Sequence, residues 1–215
     1  MKSDTTKVPS AKFLPALAAS FVVALLALAL AAASPQSERE AQQKPPASGS
    51  YEIDPVHSSL VFRCKHLDTA WIFGRFGDVQ GTIRLDADKP GASTVEVEVD
   101  AQSIDTGHDG RDNHLRGPDF FDVAQFPAAT FKSKSVAKKG ANVYAVTGEL
   151  SIHGVTKTVT IDMEHTGSSD TPKQGKRVGF LGELTIQRKD YGITFMPDGL
   201  SNDVPMTLSF EAVLQ

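Results

Sequence analysis

From Tyr51 to the C-terminus, apolar and polar residues alternate in short runs, and a two-residue period of this kind suits strands and excludes amphipathic helices. In residues 60–65, Leu60, Phe62 and Cys64 share one face while Arg63 and Lys65 share the other. Residues 94–100 set Val95, Val97 and Val99 against Glu96, Glu98 and Asp100. Residues 155–165 set Val155, Val159, Ile161 and Met163 against threonines and acids, and residues 204–214 set Val204, Met206, Leu208, Phe210 and Ala212 against Thr207, Ser209 and Glu211. Further strands are predicted at 77–86, 130–137, 143–152 and 178–188, about eight in all.

The turns between these runs are short. Lys139-Gly140-Ala141-Asn142 and His153-Gly154 each separate two alternating stretches, as antiparallel hairpins require. With no second helix to cover an open sheet, eight such strands protect their edges best by closing on themselves. The predicted fold is therefore all-β, a closed antiparallel eight-stranded barrel with a short helix-loop insertion; a β-sandwich is the alternative. A barrel of this size is either filled by its own side chains or holds one ligand. Periodicity leaves that choice open, although small Cys64, Gly182 and Ala212 and flexible Met163 and Met206 on inward positions lean toward room.

The one long departure from alternation is 103–131, SIDTGHDGRDNHLRGPDFFDVAQFPAATF. Within it, 107–116 reads as a short helix stopped by Gly117-Pro118, followed closely by Phe120, Phe121 and Phe126. A sheet that turns aside for such a segment uses it as a plug or a mouth. It also concentrates the residue types that carry chemistry: Asp105, His108, Asp109, Asp112 and His114. A metal centre needs three such groups on one ion, yet at 100° per residue His114 points about 120° away from His108. The helix reading spends them locally instead: Asp105 or Thr106 caps the helix, His108 pairs with Asp112, and Asp112 pairs with Arg116.

Nucleophilic chemistry has less support still. Cys64 sits on an apolar strand face, no G-x-S-x-G turn occurs, and His57 and His66 have no acidic partner at useful spacing. His153 is expected to be solvated in its hairpin. No catalytic residue, metal site or cofactor is assigned. The aromatic residues are more informative: Trp71, Phe73 and Phe76 cluster after the first long strand, and Phe120, Phe121, Phe126 and Phe131 after the helix, where they pack the barrel ends or line its interior.

Ahead of this domain, Lys2, Lys7 and Lys12 precede an apolar run over 13–33 that ends in small residues before Ser34, the pattern of a cleaved export signal; its length also suits an uncleaved membrane anchor. Residues 34–50 are polar, proline-rich and free of aromatic residues, and are read as a disordered linker able to span roughly 20 Å. The domain is assigned to 51–215. Of the 215 residues, removing 1–33 leaves 19 basic against 25 acidic, a net charge of −6. That balance, with no Lys/Arg cluster, argues against nucleic acid and against capture of anionic lipid by charge. The single Cys64 excludes an intrachain disulfide, so the core must hold the fold.

The runs YEIDPVHSSLVFRCKHL, DTGHDGRDNHLRGPDFFDVAQFPAATF and TGELSIHGVTKTVTIDM, in this order and spacing, resemble the YceI-like family of lipid- and polyisoprenoid-binding proteins over 51–215. The resemblance implies a lipocalin-like barrel around an apolar tube, in a periplasmic protein that carries or stores a prenyl quinone, polyprenyl lipid or similar amphiphile. On that reading the tube is lined by Leu60, Phe62, Cys64, Phe73, Phe120, Phe131, Val159, Ile161, Phe180, Met206, Leu208 and Phe210, with His114, Arg116 and Asp119 at its polar rim. Strands of ten residues tilted by ~40° make a tube roughly 25 Å tall, and each five-carbon prenyl unit buried in it contributes up to ~4 kcal/mol before ordering costs. Membrane contact is expected to be transient or through an uncleaved N-terminal segment. The competing readings are a lipid-modifying or metal-dependent hydrolytic enzyme built on 105–114, and a stress-response adaptor with a packed barrel.

Overall fold

The alternating runs form strands whose apolar face turns inward. In a computed structural model describing residues 45–215, they are β1 (Gly49–Ile53), β2 (Ser59–His66), β3 (Ala70–Phe76), β4 (Val79–Leu85), β5 (Thr94–Asp100), β6 (Ile104–Asp105), β7 (Ala128–Lys138), β8 (Val143–Ile152), β9 (Val155–Thr171), β10 (Gly175–Gln187) and β11 (Asp203–Leu214). The export or anchor segment 1–33 and most of the expected linker lie outside the described residues. The linker reading ends sooner than expected: β1 begins at Gly49, the Tyr51 hydroxyl donates to the Ala47 carbonyl, and Ala87 N–H donates to Ser48 Oγ, which binds 47–50 to the barrel.

Eleven strands make eight staves, because three staves are broken. β1 and β2 both lie on β11, through Tyr51↔Leu214 and Leu208↔Leu60. β4 pairs with β1 and β3 with β2, so β3 and β4 are the two halves of the next stave. β5 and β6 repeat the arrangement, pairing with β4 and β3 across a 3₁₀ turn at Ala101–Ser103. From there β5, β7, β8, β9, β10 and β11 follow one another as antiparallel neighbours, and β1 against β11 closes the barrel.

Sequence periodicity missed β1, β3 and β6. In β3 the reason is plain: Trp71, Ile72 and Phe73 put large apolar groups on both faces, so no apolar/polar alternation shows. At Gly74 of the same strand an added Cβ would stand 2.4 Å from the Phe62 ring, so the missing side chain is what lets that ring lie across the strand. The expected His153-Gly154 hairpin is present, with φ of 50° and 75°, as a two-residue turn of the primed kind demands.

Running the staves in order sorts the connections to two ends. The β2–β3 turn, the helix α1 (Asp109–Arg116) with its following loop, the His153-Gly154 hairpin and the β10–β11 connection 188–202 meet at one end. The β4–β5, β7–β8 and β9–β10 turns meet at the other. The segment 188–202 is a second long departure from strand structure, where the sequence pattern predicts 103–131 alone. Buried Tyr51, Ile53, Ile83, Val146, Val178 and Phe210 form the inner wall, and Phe120, Ile152, Tyr191 and Ile193 form a smaller cluster at the α1 end. Full burial of such side chains is worth about 1.5–3 kcal/mol each.

Candidate functional site

The inward faces of the staves do not meet at the axis. They enclose a cavity of about 510 Å³, within the 300–1,000 Å³ usual for small-molecule sites. Its wall reaches Leu85, Ala87, Ser93 and Pro46 at one end and His114, Phe195, Met196 and Leu200 at the other, so it runs the length of the barrel.

Most of the expected lining is there. Leu60, Phe62 and Cys64 from β2, Met206, Leu208 and Phe210 from β11, and Phe131, Ile161 and Phe180 from β7, β9 and β10 all face the cavity, with Phe120 from the loop after α1. Val159 shares the inward side of β9 but packs into the wall cluster and does not reach the cavity. Phe73 is misplaced by the sequence reading: it is 58 % exposed on the outer surface, because Ile72 takes the inward position of β3.

The rim resolves differently for its three residues. His114 lines the cavity, its Nε2 lies 2.8 Å from Asp119 Oδ2, and its ring stands edge-on to Phe120 and Phe195. Asp119 therefore orients His114 from behind and does not line the cavity. Arg116 is structural: it donates to the carbonyls of Gln102 at 2.9 Å and Ile104 at 2.7 Å, tying the end of α1 to β6.

The expected helix pairings are also replaced. His108, not Asp105 or Thr106, caps α1, with Nδ1 accepting from Arg111 N–H at 3.2 Å. Asp112 pairs with neither His108 nor Arg116; it is buried and accepts from Thr106 N–H at 2.9 Å and from the Thr106 hydroxyl. Because the helix starts at Asp109, Asp112 sits in its first turn and faces back toward the strand it leaves. Asp105, His108, Asp112 and His114 are spent on local bonds, with Asp105 holding Gly107 N–H and Arg75.

Sequence reasoning takes Thr106 only as a possible helix cap and passes over Arg111, Arg188 and Ser201, although Thr106, Arg111 and Arg188 line the α1 end of the cavity. Thr106 and Arg111 line it together, Arg111 donating to Thr106 Oγ1 at 2.7 Å and Thr106 O at 2.8 Å. Arg188, only 4 % exposed, donates to the carbonyls of Ser201, Ile193, Phe195, Met196 and Leu200. The whole 193–201 loop is thus wrapped on one guanidinium, whose pKa burial pulls below its ordinary value. Ser201 Oγ lies 3.4 Å from Cys64 Sγ at the same wall. Among the described residues neither Arg111 nor Arg188 forms an ion pair. The available signal was the glycine- and proline-punctuated GITFMPDGL, which breaks alternation just after Arg188.

His57, expected to lack an acidic partner, has one on the exposed surface, and His153, expected to be solvated, is half-buried. His57 Nδ1 lies 2.9 Å from Asp54 Oδ2 and 3.9 Å from Glu211 Oε1. Asp54, His57 and Glu211 have metal-like proximity, but Arg177 donates to both carboxylates. With that guanidinium first and His57 second, the Asp54 carboxyl is held far below the usual range, as an ion-pair cluster requires. His153 packs on Phe126 with ring centres 4.6 Å apart and places Nδ1 3.1 Å from the Tyr191 carbonyl.

Comparison with known proteins gives a consistent picture. A family model described as YceI-like domain matches residues 51–212. Proteins named Protein YceI from Salmonella newport and Salmonella arizonae are each 41% identical over 170 residues, covering 78% of this chain and 88% of theirs. The crystal structure of Burkholderia cenocepacia BcnA superposes with a TM-score of 0.67 at 25% identity, over 75% of this chain and 99% of that one. A Saccharophagus degradans structure, described as a polyisoprenoid-binding domain implicated in plant cell wall breakdown, shares the fold with a TM-score of 0.61 at 18% identity, over 79% of this chain and all of that one.

Proposed function

This chain belongs to the YceI-like family, and from that footing we propose that it binds a long apolar amphiphile, a polyisoprenoid such as a prenyl quinone or polyprenyl lipid, and carries or stores it without chemical change. The observation that carries this reading is the cavity of about 510 Å³ running between the barrel ends with an almost wholly aliphatic and aromatic wall. A linear apolar chain matches that shape. Thr106, Arg111, His114 and Arg188 line the α1 end, where a head group with hydrogen-bond acceptors would meet two guanidinium groups; Asp86 and Ser93 line the other end. The description of the Saccharophagus degradans domain supports the same ligand class.

Each methylene moved from water into this wall contributes about 0.8 kcal/mol, so affinity needs no charged pocket. Hydrolytic chemistry at 105–114 finds less support, because the hydrogen bonds of Asp105, His108 and Asp112 go to the helix and its neighbouring strand. Export to the periplasm belongs to this reading and is supported by the lysines and apolar run of 1–33. Organic extraction of the purified protein followed by mass spectrometry is the test: a stoichiometric prenyl lipid is expected, and an extract with no lipid from folded protein overturns the proposal.

A further inference from the structure

Large apolar side chains are exposed on this barrel in an uneven way. Among the described residues, five of the eight exposed large apolar side chains, Leu67 (53 % exposed), Trp71 (43 %), Phe73 (58 %), Phe195 (39 %) and Met196 (36 %), belong to the α1 end or to the half of β3 beside it, while Val56 lies in the β1–β2 connection and Val61 and Leu181 lie on β2 and β10. The turns at the opposite end expose no large apolar residue, and carry Lys89, Lys138, Lys139 and Lys173 instead.

The five are joined through the loops that frame the opening. Phe195 stacks on Phe120 and on His114, at ring-centre distances of 5.2 Å and 5.0 Å. Met196 follows it, and the Met196 side chain crowds Gly199, whose carbonyl accepts from Leu67 N–H at 2.8 Å. The chain then turns into β3, where Trp71 lies opposite Lys65 and the Arg63 guanidinium stands 4.8 Å from the Trp71 ring centre. Leu67 and Met196 are both held at positive φ, 49° and 51°, a conformation in which asparagine or glycine is usual and a bulky exposed apolar residue is not. Phe195 and Met196 line the cavity as well, so the exposed surface is continuous with the apolar interior.

We propose that this end of the barrel is a membrane-docking face, which seats Leu67, Trp71, Phe73, Phe195 and Met196 in the interfacial layer of a phospholipid bilayer so that the cavity opens directly onto hydrocarbon. The inference rests on the lipid-binding reading above for its purpose, though not for its geometry. A bilayer suits this surface better than a protein partner for two reasons. The apolar residues lie along one side of an opening, on the β2–β3 turn, β3 and the 193–201 loop, with Phe195 and Met196 continuing into the cavity, and a fluid apolar phase both covers such a rim and feeds what lies inside it. A tryptophan with an arginine over its ring, an apolar body with a polar edge, is also the residue pair favoured at the headgroup boundary. The domain's acidic balance favours neutral headgroups over anionic ones.

Trp71 is the only tryptophan in the chain, so it reports on this face directly, whatever residues 1–33 do in the same membrane. The experiment places the full chain with vesicles of phosphatidylcholine brominated on its acyl chains and reads Trp71 fluorescence. A blue shift and quenching by the bromines are expected. The double variant Leu67→Asn with Phe73→Thr, neither of which lines the cavity, is expected to reduce the quenched fraction about fivefold while circular dichroism and melting are unchanged; Leu67→Ala serves if the pair does not fold. Unquenched Trp71 in the folded parent protein overturns the proposal, as does equal quenching in the variant. A blue shift that grows with protein concentration without vesicles also overturns it, because a second copy then covers the face. Extraction of the same samples separates the two readings: lipid present with Trp71 unquenched defeats docking alone, whereas lipid absent with Trp71 quenched defeats the carrier reading alone.

Discussion

Asp112 closes on Thr106, six residues before it, with its carboxylate accepting from both the backbone N–H, at 2.9 Å, and the hydroxyl of that residue. The bond is buried and joins the first turn of α1 to the end of the β5–β6 stave. It makes the helix a fixed part of the cavity wall, with Thr106, Arg111 and His114 carried on the same short segment.

Removing the buried carboxylate leaves the half-buried Thr106 N–H with no acceptor, which costs about 1–3 kcal/mol. Asp112→Ala is therefore expected to lower the denaturant midpoint of the purified protein by a corresponding amount, whereas an exposed i,i+4 pair would lose only ~0.3–0.5 kcal/mol. Chemical unfolding of the two proteins side by side decides it; a shift at the lower figure means that the helix is held by other contacts.

His165 is fully buried on β9 between Phe180 and Ser168, and desolvation lowers its pKa from 6.5. The folded protein thus binds this proton less readily than the unfolded chain. Its contribution to stability is complete above about 6.5 and is lost as pH falls below that value. Asp54 has the opposite charge type and a lowered carboxyl pKa, so its contribution is lost only below the ordinary 3.8. Melting temperature should accordingly fall between pH 6.5 and 4.5 before the acid limb begins, and His165→Gln should flatten that first slope. A slope retained in the variant assigns it to another histidine.

The two faces of β11 should respond oppositely to added bulk. Met206 lines the cavity, while Ser209 is exposed on the outer surface. Met206→Trp is expected to displace ligand, at a packing cost of ~1 to 3 kcal/mol where the wall is tight, and Ser209→Trp to leave lipid content unchanged. Extracted lipid per mole of folded protein is the measurement. Equal lipid in both variants would place the ligand away from β11.

What could be read from the chain alone was local and periodic. The pleat sends alternate side chains to opposite faces whatever the strand pairs with, so Met206, Leu208 and Phe210 could be set against Thr207 and Ser209 without a partner strand in view. The hairpin at His153-Gly154 follows from residues that are themselves adjacent, and the helix stop at Gly117-Pro118 likewise. Long-range geometry decided the rest. Tyr51 meets Leu214 only because the sheet closes, and Asp54, Arg177 and Glu211, far apart in the chain, form one ion-pair cluster where the end of β1 meets β10 and β11. Phe73 faces outward because β3 is apolar on both sides and its register against β2, not its own composition, chooses the inner residue. Arg188 organises the 193–201 loop through backbone carbonyls, which every residue possesses and which therefore leave no trace in side-chain pattern. The sequence specifies which residues prefer an apolar face; whether those faces meet in a solid core or stand apart around a cavity depends on the curvature of the closed sheet, a property of all eight staves together.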